Sequence, residues 1–206
     1  MSYDYARLVE KIIEVAAADG TTTQRMLEVL EECARQKPHP DWVLFSEIDF
    51  EADSIRIERW LSTAFGPQRT HNVVRGLWFG LVNLGDDRSA KVDVYVGGSP
   101  CFDVDGIAWA SEVFPVDEHN YLGSEVLHEI YKQAYREAKG SLGNHAEYPL
   151  ALAYGAIVAI QALRDEGELP FALTSVVGAA AGFDSGDFLF LGTLEQRHFH
   201  KSIRVG

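Results

Sequence analysis

The stretch VVRGLWFGLVNLGDDRSAKVDVYVGGSP, residues 73 to 100, decides how the chain is read. Its first run is rich in β-branched and aromatic residues. Its second, Lys91-Val92-Asp93-Val94-Tyr95-Val96, alternates polar and apolar positions, as a strand with two unlike faces does. Gly85-Asp86-Asp87-Arg88-Ser89-Ala90 between them is turn chemistry, and Gly97-Gly98-Ser99-Pro100 closes the second run. The pattern predicts a β-hairpin and, around it, an antiparallel sheet.

Upstream of the hairpin, Trp42, Leu44, Ile48 and Phe50 share one parity while Glu47 and Asp49 take the other. Glu51-Ala52-Asp53-Ser54 reads as a turn, and Ile55-Arg56-Ile57-Glu58 alternates again, so a second hairpin is predicted here. The competing reading starts a helix at Asp53 or Ser54 and buries Ile57, Trp60, Leu61 and Ala64 as its stripe. Downstream, Cys101 to Pro115 adds one or two short strands, which makes residues 41–115 a sheet meander.

Helical periodicity flanks this centre. Leu8, Ile12 and Val15, widened by Val9, Ile13 and Ala16, mark a first helix that stops at Asp19-Gly20. Thr21 and Gln24 form a capping-box pattern ahead of Met26, Leu27, Leu30 and Ala34, and Pro38 and Pro40 end that second helix, so residues 1–37 form a helical pair. A second pair covers 120–166. Val126, Leu127, Ile130, Ala134 and Tyr135 lie on its first helix. After a break at Gly140 to Gly143, an apolar helix over about 146–165 carries few charges before Arg164 and is predicted to be central.

Residues 174–204 return to strand character as a C-terminal hairpin. Asp184-Ser185-Gly186-Asp187, within GFDSGDFLFLG at 182–192, matches neither a P-loop nor an EF-hand and reads as its turn. The small residues of VVGAAAGF before it complement Ala151, Ala153, Gly155, Ala156 and Ala159 of the apolar helix, a pairing that permits close approach. The expected architecture is one α+β domain over 1–206, an antiparallel sheet packed by N-terminal and central helices.

A hydrophobic share of 47% with 24% charged residues suits a folded globular chain rather than a disordered one. The formal charge of −13 is shared by all three thirds of the chain, and such a field repels phosphate backbones, which disfavours nucleic acid. The sequence has no run approaching ~20 consecutive apolar residues, and its start lacks a basic segment followed by a purely apolar one. The expectation is a cytoplasmic protein away from the membrane. Cys33 and Cys101 have neither disulfide nor zinc-knuckle spacing.

Reactive constellations are incomplete. Glu125 and His128 have the Glu-x-x-His spacing of half a di-metal site, but the second half is missing. His145 and Glu147, with His198 and His200, match no zinc signature, and Ser99 and Cys101 in GGSPCFDVDG lack a local base. Asp103 and Asp105 beside them do not define a cation site. No metal and no cofactor are therefore predicted. Trp42, Trp60, Trp78 and Trp109, with Phe45, Phe79 and Tyr95, are placed in the sheet region, where an uncovered face bearing tryptophan beside Asp or Glu would bind protein.

The favoured reading is a non-enzymatic acidic protein-binding module, an inhibitor or immunity-type protein that neutralises a basic protein partner. Glu47, Asp49, Glu51 and Asp53 form its expected contact surface, with Asp86 and Asp87 next. The alternatives are a metal-dependent or nucleophilic hydrolase using Glu125, His128 and His145 or the Ser99/Cys101 loop, and a structural subunit completed by a second copy of itself.

Overall fold

The computed structural model describes residues 3–64, 74–83, 92–106, 108–111, 113–115, 121–137, 141–165, 176–184, 186–195 and 198–206. Helix α1 (Tyr5–Ala17) starts where the Asp4 carboxylate accepts the Arg7 backbone N–H, and it buries Leu8, Ile12, Val15 and Ala16. Helix α2 (Thr22–Gln36) has the expected capping box between Thr21 and Gln24 and buries Met26, Val29, Leu30 and Cys33.

Residues 41–58 correct the hairpin expectation. They form two helices, α3 (Trp42–Ser46) and α4 (Phe50–Ala64). The Asp49 carboxylate accepts the Ala52 N–H at 3.0 Å, which caps the incoming turn of α4. The buried positions are Phe50, Asp53, Ser54, Ile57 and Leu61, a spacing of three and four. The alternation of Trp42, Leu44, Ile48 and Phe50 spans two separate helices, and the residues buried on α3 are Trp42 and Phe45, three apart. The competing helical reading had the right element type, and the helix begins three or four residues before the Asp53 or Ser54 start of that reading.

The predicted central hairpin is present: β1 (Gly76–Asn83) and β2 (Val92–Ser99) pair antiparallel with Gly80 opposite Tyr95. Its turn lies outside the described residues. Two short strands, β3 (Phe114–Pro115) and β4 (Tyr121–Gly123), both pair with β2, and a short 3-10 turn spans Ala108–Ala110. At the C-terminal end the hairpin of β5 (Val177–Phe183) and β6 (Phe188–Glu195) gains a third strand, β7 (His198–Val205). The sheet runs β3-β2-β1-β5-β6-β7, with β4 beside β2. It is mixed and mostly antiparallel, because β5 joins β1 in parallel.

Between β5 and β6 the expected turn closes through Gly186 N–H to the Phe183 carbonyl, 3.0 Å, and Phe183 N–H to the Asp187 carbonyl, 2.9 Å. Gly186 sits at φ 120°, a conformation that a side chain would oppose.

Helix α5 (Glu125–Ala134) and helix α6 (Asn144–Asp165) complete the chain. α6 lies on β5 and β1 and is surrounded by α1, α2, α4 and α5, so nearly all of it is buried. α6 packs on β5 as expected, but the close approach at Gly155 is to a large side chain on β1: a Cβ there would come within 2.9 Å of Leu81. Pro149 leaves the His145 carbonyl without its helical donor, and the Tyr3 hydroxyl supplies one at 2.5 Å. By length and composition the Asn144–Arg164 stretch of α6 is apolar enough to cross a bilayer, which counting only unbroken apolar runs misses. Here 83% of the apolar window is buried inside the protein.

Candidate functional site

The acidic residues chosen from the sequence differ in exposure. Glu47 and Asp49 are exposed at the α3–α4 junction, and Glu51 is half-buried, its carboxylate accepting the Thr23 N–H at 3.3 Å. Asp86 and Asp87 lie outside the described residues. Asp53 is a correction: it is only 4% exposed and cannot meet a partner.

Asp53 instead joins three helices. One carboxylate oxygen accepts from Ser124 Oγ (2.6 Å), Tyr154 OH (2.9 Å) and the Val126 N–H (3.4 Å). The other accepts from Arg56 Nε (3.1 Å), from Arg56 Nη2 and from the Glu125 N–H (3.3 Å). This places a negative charge at the N-terminus of α5, where free amides and the helix dipole favour it. Burial, and then the Asp53 charge, hold the Tyr154 phenol well above its ordinary value.

The candidate reactive groups are scattered. Glu125 and His128 are exposed on α5, and His198 and His200 are exposed on β7. His145 Nδ1 lies 3.1 Å from both Lys37 Nζ and the Leu142 carbonyl. Among the described residues no group of three or more His, Cys, Asp and Glu side chains is placed to hold a metal. Ser99 is buried, and its hydroxyl meets the Cys101 N–H at 3.4 Å and the Cys101 thiol at 3.6 Å, with no imidazole or carboxylate bonded to either among the described residues.

The four tryptophans separate as well. Trp42 lies in α3 and Trp60 in α4, with Phe45 and Phe79 in the main core, while Trp78 on β1 and Trp109 in the 3-10 turn meet on the sheet face turned away from the helices. That face is built from glycines that seat rings. An added Cβ would lie 2.0 Å from the Tyr95 ring at Gly80, 2.5 Å from the Trp109 ring at Gly76 and 2.0 Å from the Phe102 ring at Gly178. Phe102 stacks on Phe190 at 5.8 Å and meets Trp109 edge-on at 5.4 Å. Residues of the 101–113 segment thus cover the middle of the face.

Beside this cover a groove of about 440 Å³ stays open, lined by Trp78, Tyr95, Ser111, Val113, Phe183 and Asp184 among others. A hydrogen-bond chain crosses it: the Trp78 indole N–H donates to Tyr95 OH at 2.9 Å, and Tyr95 OH donates to Asp184 Oδ1 at 2.6 Å. Burial first, and then the bond to Asp184, raise the Tyr95 phenol above its ordinary value, so it stays a proton donor to the carboxylate.

Further rings lie near the groove, Tyr121 beside Tyr95 and, packed on the helix side of the sheet, Phe183 with Tyr148. The exposed Tyr121 lies 5.2 Å from Tyr95. Phe183 stacks on Tyr148 at 5.8 Å, and Tyr148 meets Tyr5 edge-on at 5.6 Å. The exposed Asp187 follows in the same turn.

The sequence signal for this site was the parity of β1, which sets Trp78 and Gly80 opposite Leu77, Phe79 and Leu81. Parity alone does not say which face the helices cover. No protein-family model matches the chain, no curated protein matches it, and no solved structure matches its fold.

Proposed function

We propose that the chain is a non-enzymatic protein-binding module that engages a basic protein through the Trp78–Tyr95–Asp184 groove. The observation that carries this reading is the Asp184 carboxylate, fixed at 2.6 Å by Tyr95 at the lip of an open aromatic groove. Protein recognition concentrates its energy in aromatic anchors, with a polar rim around them. Tyr121, exposed beside Tyr95, supplies such an anchor, and Asp184 and Asp187 supply the rim. A net charge of −13 steers a cationic partner toward the protein and selects against acidic ones. By filling the partner's charged cleft, the module acts as an inhibitor of immunity type.

The test is affinity capture from the native lysate with the unmodified chain, Asp184→Lys, Tyr121→Ala and the distant control Glu47→Lys. The unmodified chain and Glu47→Lys retain a basic protein, Tyr121→Ala retains less and Asp184→Lys loses it, with capture falling as salt is raised. Recovery of no basic protein, or equal recovery by Asp184→Lys, overturns the reading.

A further inference from the structure

The groove has a more specific chemistry than attraction to positive charge, and two features of it bear on which cation fits. The Asp184 carboxylate is oriented through the Trp78–Tyr95 chain, and among the described residues Tyr95 is its sole hydrogen-bond donor. With one oxygen held at 2.6 Å by a neutral phenol, no donor among the described residues takes the second oxygen or the remaining lone pair of the first, and these face a donor arriving from the groove. The surrounding walls are largely rings and aliphatic groups, and among the described residues no lysine or arginine lines them.

An ammonium ion is compact and strongly hydrated, and it loses that hydration when it enters a space walled by Trp78, Tyr95, Val113 and Phe183. A guanidinium is planar and more weakly hydrated. It lies flat on an aromatic ring while its N–H edge pairs with a carboxylate through two parallel bonds.

We infer that the groove is an arginine-recognition subsite, in which a guanidinium from an exposed segment of the basic partner pairs edge-on with Asp184 and stacks on the flanking Tyr121 ring. This inference rests on the protein-binding reading above and names the partner's anchor. Tyr95 is a positioning residue: it holds the carboxylate in the plane that the guanidinium meets. Lysine is discriminated against because it offers neither the planar face nor the paired donors.

The test uses the full chain with ¹⁵N-labelled tryptophan, titrated with acetyl-Gly-Arg-Gly-amide and its lysine and citrulline counterparts and followed by NMR. The Trp78 indole N–H, assigned by its absence in Trp78→Phe, reports on the groove because it bonds directly to Tyr95 OH. The arginine peptide is expected to shift this resonance with a midpoint about tenfold lower than the lysine peptide, while the isosteric but neutral citrulline leaves it in place. Asp184→Asn raises the arginine midpoint by about tenfold, as loss of one charge-assisted pair at a partly open site requires. Tyr95→Phe, which keeps the Asp184 charge but releases its orientation, raises it by a smaller factor.

Equal midpoints for arginine and lysine, an unshifted indole, or an unchanged midpoint in Asp184→Asn overturns the inference. If capture of a basic protein depends on Asp184 while the peptides show no arginine preference, the protein-binding reading stands and this one falls. If the peptides show arginine preference but no basic protein is captured, the guanidinium subsite stands and the protein-binding reading falls.

Discussion

Gly80→Ala is the sharpest perturbation of the aromatic sheet face. A Cβ at this position would lie 2.0 Å from Tyr95 Cε1, 2.2 Å from Cζ and 2.6 Å from the hydroxyl oxygen. Carbon atoms in contact sit at about 3.5–4.0 Å, so the ring must move by more than an ångström or the β1–β2 pairing must open. Overpacking of this kind costs about 1–3 kcal/mol. A displaced ring also breaks the Trp78–Tyr95–Asp184 chain and leaves the buried indole N–H unpaired, at a further ~1–3 kcal/mol.

The expected loss is about 3 kcal/mol, or a fall in Tm of roughly 6–12 °C for a chain of this size. In a Tyr95→Ala background the clash is gone, and the same glycine-to-alanine change becomes neutral or stabilising by ~0.4–1 kcal/mol because it restricts the unfolded chain. Urea unfolding followed by circular dichroism measures all four corners of this double-mutant cycle. Gly106→Ala is the control, since its new methyl meets nothing nearer than Asp103 Oδ2 at 3.6 Å. Equal costs of Gly80→Ala in both backgrounds, within about 0.5 kcal/mol, would show that the glycine is not a seat for the ring.

Asp53→Ala should lower stability by about 3–5 kcal/mol in urea, because it strands Tyr154, Ser124 and Arg56 around a lost buried charge; a surface-like cost below about 0.5 kcal/mol contradicts the three-helix junction. Burial pushes the Cys33 thiol up to about 12, whereas Cys101 is exposed. A disulfide reagent at neutral pH therefore titrates one thiol rapidly and the second only in denaturant, and two fast thiols refute this burial. The Tyr154 and Tyr95 phenols are held above their ordinary value of 10.0, so the stability they contribute is fully present below pH 10. It is lost as pH climbs from there toward their folded values, because the unfolded phenols ionise first. Absorbance at the phenolate band should show part of the eight tyrosines ionising only as the helical signal collapses, and full ionisation near pH 10 with the fold intact contradicts it.

The residues that were legible in the sequence share one property, which is that near neighbours settle them. Asp4 and Thr21 cap helices through amides three residues away, β2 alternates strictly, and the β5–β6 turn closes between Phe183, Gly186 and Asp187. Residues 42–58 misled because Trp42, Leu44, Ile48 and Phe50 share a parity by chance across two helices, whereas the Asp49 cap, the Trp42/Phe45 spacing of three and burial of Ile57 and Leu61 select helices. The parallel joint of β1 to β5 leaves no local mark at all, since it pairs Gly80 with Gly182 across the whole length of α5 and α6.

Sequence alone determined the element types at both ends of the chain, the central hairpin, the buried helix α6 and the acidic character of the protein. Only the tertiary structure decided which carboxylates do what. Asp53, chosen as a contact, disappears into bonds with Ser124 and Tyr154, 71 and 101 residues away, while Asp184, first read as part of a turn, is aimed by Tyr95 from 89 residues away. A carboxylate's role follows from its solvation and its donors. Those are supplied by segments that meet only when the sheet and helices have packed.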